Sequence, residues 1–123
     1  VQEVSKWSEL SDHEIDCMVV DKLGFLSDCH IGKDMITRHC IDGAVLHRGH
    51  EVSYCKNWSD IGSLIDYHKI SLLNDGDKWE AEITYMANVG AHQTAEECSY
   101  FHTDENPKRA AAIVYLISKG VKV

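Results

Sequence analysis

Lys69-Ile70-Ser71-Leu72-Leu73-Asn74-Asp75-Gly76-Asp77-Lys78-Trp79-Glu80-Ala81-Glu82-Ile83-Thr84-Tyr85 is the stretch on which the fold turns. Its second half alternates without a fault: Trp79, Ala81, Ile83 and Tyr85 fall on one face, and Lys78, Glu80, Glu82 and Thr84 on the other. Period-two alternation of this kind marks an antiparallel strand with one dry and one wet face. Ahead of it, Lys69 to Leu73 reads as a short strand, and Asn74-Asp75-Gly76-Asp77 has the turn chemistry that tolerates positive φ. The expectation is a hairpin whose Trp79, Ala81, Ile83 and Tyr85 face helices, with Ser99 to Thr103 adding a third strand.

Helices flank this hairpin on both sides. Asn57 is placed as an N-cap, and Trp58, Ile61, Leu64, Ile65 and His68 recur on one face of a helix expected over 58–67. Gly62 inside it costs roughly 1 kcal/mol relative to Ala, which suggests a close approach by a neighbour. Downstream, Asn106 caps a helix over 107–119. Pro107 takes the first position, where its missing N–H costs nothing, and Gly120 supplies the stop. Ala110, Ile113, Val114 and Ile117 make its buried stripe. Upstream, Ser11 and Glu14 form a capping box for a helix over 12–23, with Ile15, Met18, Val19 and Leu23 at helical spacing and Gly24 as terminator. Residues 25–55 carry no sustained period; Val45 to Tyr54 is expected to hold a hairpin or a strand. The whole is an α+β fold, a two-layer sandwich of about three helices on an antiparallel sheet, in one domain spanning 1–123.

Composition narrows the classes of function. Twenty acidic against twelve basic residues give a net charge of −8, which repels a duplex phosphate backbone and disfavours nucleic-acid binding. No apolar run approaches a membrane span and Val1 to Trp7 lacks the apolar stretch of a signal peptide, so a cytoplasmic location in the host cell is expected, as is trimming or processing ahead of Val1. Cys17, Cys29, Cys40, Cys55 and Cys98 are odd in number and lack CxxC spacing, as reduced thiols would.

Three segments together resemble the NinX family of small bacteriophage and prophage proteins. They are Ser8-Glu9-Leu10-Ser11-Asp12-His13-Glu14-Ile15-Asp16; Tyr54-Cys55-Lys56-Asn57-Trp58-Ser59-Asp60 followed by Leu64 and Ile65; and Asn106-Pro107-Lys108-Arg109-Ala110-Ala111-Ala112-Ile113-Val114-Tyr115-Leu116. The resemblance spans most of the chain outside residues 25–50. Gly62-Ser63 stands where the family often has Gly-Pro, and the loop Met86 to Glu97 looks longer than usual. The resemblance implies a phage-type sandwich of helices on an antiparallel sheet; it does not imply a reaction.

Chemistry is sought where a local rule is broken. Lys108 and Arg109 occupy the first turn of the last helix, where the macrodipole favours acids by ~0.3–1 kcal/mol each. With the Asn106 cap and free N–H groups they make an anion site assisted by Asn57 and Tyr54, and the rings of Tyr54, Trp58 and Trp79 near these cations suit the stacking of a base. The structural alternative is that Arg109 pairs with a carboxylate such as Asp60. The ligand types Cys29, His30, His39, Cys40, His47, His50 and Cys55 fit no compact zinc spacing, so no metal is expected. GxSxG, HExxH, Walker and GxGxxG motifs are absent, and no catalytic residue or cofactor is assigned.

Three functions fit these residues. The first is a non-enzymatic phage accessory protein that captures a small anionic ligand, such as a nucleotide immune signal. The second is an interaction protein that binds a host or phage protein, and the third a small hydrolase of such a signal. A homo-oligomer is expected as well, with Tyr100-Phe101 as a candidate edge strand.

Overall fold

The computed structural model describes residues 6–24, 29–38, 41–42, 45–46, 50–89 and 94–123. A 3-10 turn at Lys6–Glu9 leads into α1 (Asp12–Leu23). The Ser11 hydroxyl accepts from Glu14 N at 3.1 Å, and the Glu14 carboxylate accepts from Ser11 N at 3.0 Å, completing the capping box. Gly24 ends the helix at φ 81°.

The illegible middle of the sequence forms short strands. β1 (Cys29–Ile31), β2 (Ile36–Arg38) and β5 (His50–Val52) make one small antiparallel sheet, and β3 (Ile41–Asp42) pairs with β4 (Val45–Leu46). Ile36 and Val52, opposite one another in the register, are both buried and fasten this sheet to the core.

α2 (Trp58–His68) starts where the sequence places it but by different means. Asn57 occupies the N-cap position without capping. Its amide instead donates to Asp60 Oδ2 at 3.3 Å, and the same oxygen accepts from Ser53 N at 3.0 Å. The helix ends on Lys69, at φ 54°, and Ile70 N returns to Ile65 O. That left-handed residue is why the next strand begins later than the sequence suggests: β6 is Ser71–Asp75, and the turn contracts to Gly76-Asp77, with Gly76 at φ 67°. Gly62 does not mediate a close contact. A Cβ there would meet nothing within 4 Å, so the inferred neighbour is not present among the described residues.

β7 (Lys78–Val89) and β8 (Thr94–Asp104) form a hairpin much longer than expected. Their register runs unbroken from Trp79↔Asp104 to Val89↔Thr94, so Met86 to Val89 and Thr94 to Glu97 are strand where the sequence reads as loop. β6 pairs only with the first five residues of β7, giving the order β6-β7-β8. Ala81 and Ile83 are buried beneath the helices, as their alternation predicts, while Tyr85 lies further along the same face and is 39% exposed.

α3 (Pro107–Ser118) lies against β7 and β8 on one side and touches α1 and α2 on others. Every residue from Ala110 to Leu116 is therefore buried, not only the expected stripe, and Ile117 is only partly covered. A helix that is apolar all round belongs inside a core. Gly120 at φ 81° closes it, with Gly120 N bonded to Ile117 O and Val121 N to Leu116 O. Ile15, Val19, Val20, Ile61, Ile113, Val114 and Leu116 are fully buried around this axis, each contributing about 1.5–3 kcal/mol relative to exposure.

Candidate functional site

A buried carboxylate organises the region where the three helices meet. Asp16 Oδ2 accepts from the Ser53 hydroxyl at 2.7 Å, and its Oδ1 accepts from Tyr54 N at 2.9 Å and Cys55 N at 3.0 Å. Cys55 O in turn accepts from Asn106 Nδ2 at 3.0 Å, while Asn106 Oδ1 caps α3 by accepting from Lys108 N. Segment 53–55 is thus clamped between α1 and the start of α3. Burial pushes the Asp16 carboxyl up, and its three hydrogen bonds oppose that shift. Asp16 went unnoticed in the sequence; the available signal was an acid on the same arc of α1 as Val19 and Val20.

The two cations at the head of α3 both have partners within the fold. Arg109 Nη1 reaches Asp12 Oδ1 at 2.6 Å and Nε reaches Asp104 Oδ2 at 3.2 Å. Its Nη2 donates to Trp7 O at 2.7 Å and Leu10 O at 2.6 Å. The internal partners are Asp12 and Asp104 rather than Asp60, whose carboxylate serves Ser53 and Asn57. Arg109 also lines a cleft of about 570 Å³, which it shares with Lys78 and with Asp12, Asp104 and Glu105. Lys108 holds its ammonium 4.7 Å from the centre of the Trp58 ring, joining the starts of α3 and α2.

Tyr54 and Asp60 belong to a different cavity. A groove of about 430 Å³ lies between α2 and Tyr54, with Leu23 and Leu64 as its apolar lining and Arg38 on its wall. Ser59, Ser63 and Tyr67, spaced by four along α2, present two hydroxyls and an aromatic ring to it. Tyr67 is 81% exposed, yet its ring is braced edge-on by His68 at 4.9 Å, which rests on the buried Tyr115 ring at 4.9 Å. Burial, with Lys119 nearby, lowers the pKa of His68 and so favours its neutral imidazole. The Tyr54 hydroxyl is pushed up to about 12 by burial and then by Asp60, against the opposing pull of Arg38, so it remains a proton donor. Of the residues singled out in the sequence, Tyr54 lines this groove. Asn57, Trp58, Asn106, Lys108 and Arg109 form the framework beside it.

A cysteine–histidine pair does occur, on α1, and it is not an activated thiol. His13 Nε2 lies 2.9 Å from Gly32 O and 3.7 Å from Cys17 Sγ. A carbonyl only accepts, so Nε2 carries the proton and cannot take one from the thiol. Burial and the neighbouring Asp16 and Glu14 also push the Cys17 thiol up, away from the thiolate. Among the described residues, Cys17, Cys55 and Cys98 form no disulfide; His39, Cys40 and His47 of the histidine-rich stretch lie outside the described residues.

Taken together, these features define a small α+β domain in which the segment around Asp16, the run 53–60 and the head of α3 lock into one framework. Residues 6–119 match the family described as Bacteriophage P22, NinX, and the chain belongs to that family, which makes it a phage accessory protein. A search of curated proteins gave no match. No helix is long and apolar enough to cross a membrane among the described residues.

Proposed function

We propose that this protein acts by capturing a small nucleotide-type ligand without transforming it, in the groove between α2 and Tyr54. The observation that carries the reading is the braced, exposed ring of Tyr67 in line with the Ser63 and Ser59 hydroxyls, facing Arg38 and the Tyr54 hydroxyl across about 430 Å³. That volume lies in the range of small-molecule sites. A base would stack on Tyr67, a phosphate would take the Arg38 guanidinium and the serine hydroxyls, and Asp60 would accept from a sugar hydroxyl. Compared with the anion site expected at the head of α3, the ligand position shifts across α2 and keeps Tyr54. For a phage accessory protein, the ligand class on which capture alone would act is a nucleotide signal of host defence.

Calorimetric titration with nucleoside mono- and diphosphates and with dinucleotides tests this. A member of the panel should bind, and Tyr67→Ala should weaken it about 10–100-fold, as loss of one stacking platform worth about 1–3 kcal/mol would. The melting temperature should not change, because the ring is exposed. Binding that ignores both Tyr67→Ala and Ser63→Arg would place the ligand elsewhere, and no binding across the panel would end the capture reading.

A further inference from the structure

β8 presents an unusual edge. It runs for eleven residues, Thr94–Asp104, and among the described residues pairs with β7 on one side only; α3 covers part of one of its faces. The register with β7 contains no bulge, and the strand contains neither proline nor lysine, three of the devices by which natural sheets blunt such an edge; its charges are the acids Glu96, Glu97 and Asp104. Beyond Glu82 the hairpin has lost β6, so 83–89 and 94–100 stand as a two-stranded arm. Two strands alone are marginal in water. The arm nevertheless carries the stacked rings of Tyr85 and Tyr100, 4.7 Å apart, and ends close to Phe101, which is 62% exposed.

We infer that the β8 edge is completed by the β8 of a second copy of this chain, antiparallel and related by a two-fold axis at Ser99. An axis perpendicular to the sheet keeps the helices of both copies on the same side, so residues that point to the same face must oppose one another. Centring on Ser99 then uses the full strand. Cys98 faces the partner's Tyr100, Glu97 the partner's Phe101, Glu96 the partner's His102 and Ala95 the partner's Thr103. No two acids meet, and each Glu96 finds an imidazole. Centring on Tyr100 instead sets Glu96 against Asp104 twice, a like-charge opposition that destabilises cross-strand pairs. In the Ser99 arrangement each arm lies along the base of its partner's β8, which gives the two-stranded segment its third strand.

The test combines mass with a register probe. Light scattering at tens of micromolar should return twice the chain mass. Ser99→Cys, at an exposed position, should form a disulfide-linked dimer on mild oxidation, because directly opposed antiparallel residues stand ~4.5–5.5 Å apart, within disulfide reach. Phe101→Cys, opposite Glu97, should stay at the level of the unmodified chain, whose own cysteines set the background. A monomer mass overturns the inference, and so does a dimer in which Ser99→Cys crosslinks no more than that background.

Discussion

Arg109 illustrates how a rule broken at one residue is repaired by tertiary structure. A cation in the first turn of α3 opposes the helix dipole, and in isolation that suggests a bound anion. Asp12 and Asp104 and two carbonyls from residues 7–10 supply the compensation instead. Asp12 lies 97 positions away in the chain, so no local pattern could have named it. The pairs are part-buried, so Arg109→Ala should cost about 3 kcal/mol, no more than the lower end of the range for breaking a fully buried ion pair. It should lower the melting temperature by roughly 12 °C in a domain of this size, measured by differential scanning calorimetry. A variant as stable as the parent would show that these contacts contribute nothing. Asp16 is the complementary case. Its neighbours in sequence mark it as facing inward, but its purpose is visible only once Ser53, Tyr54 and Cys55 are seen to converge on it.

At the scale of elements, the helices were legible because their ends carry chemistry: Ser11 with Glu14, Asn106 with Pro107, Gly24 and Gly120. The hairpin was legible as far as its alternation lasts. From Met86 onward the residues Met86, Ala87, Asn88 and Val89 have no clean alternation, and the arm reads as loop although its backbone ladder is continuous. α2 was found in place but its details were not. Asn57 bonds Asp60 rather than capping, and Gly62 opens onto space rather than onto a neighbour. With nothing within 4 Å of a Cβ at that position, Gly62→Ala should stabilise the protein by about 0.5–1 kcal/mol through helix propensity and a less flexible unfolded chain. Urea unfolding at constant m-value reads this directly. A loss of stability would mean that α2 has a packing partner at Gly62 after all.

For the whole molecule, net charge bears on the class of ligand proposed above. A net charge of −8 disfavours a polyanion, whereas the proposed ligand is a single short anion in a groove with Arg38 on its wall. The groove itself could not be read from sequence. It is assembled from Leu23 at the end of α1, Arg38 in β2, Tyr54 and the outer face of α2, and β2 falls in the stretch whose periodicity fails. Family membership over residues 6–119 fixes the kind of protein and leaves the ligand to experiment. The most direct measurement is mass spectrometry of small molecules released by heat from the protein after purification from phage-infected, defence-positive cells. Capture predicts an intact nucleotide in near-stoichiometric amount, absent from the groove-blocking Ser63→Arg variant. A cleaved product, or a preparation with no nucleotide in either protein, would contradict it.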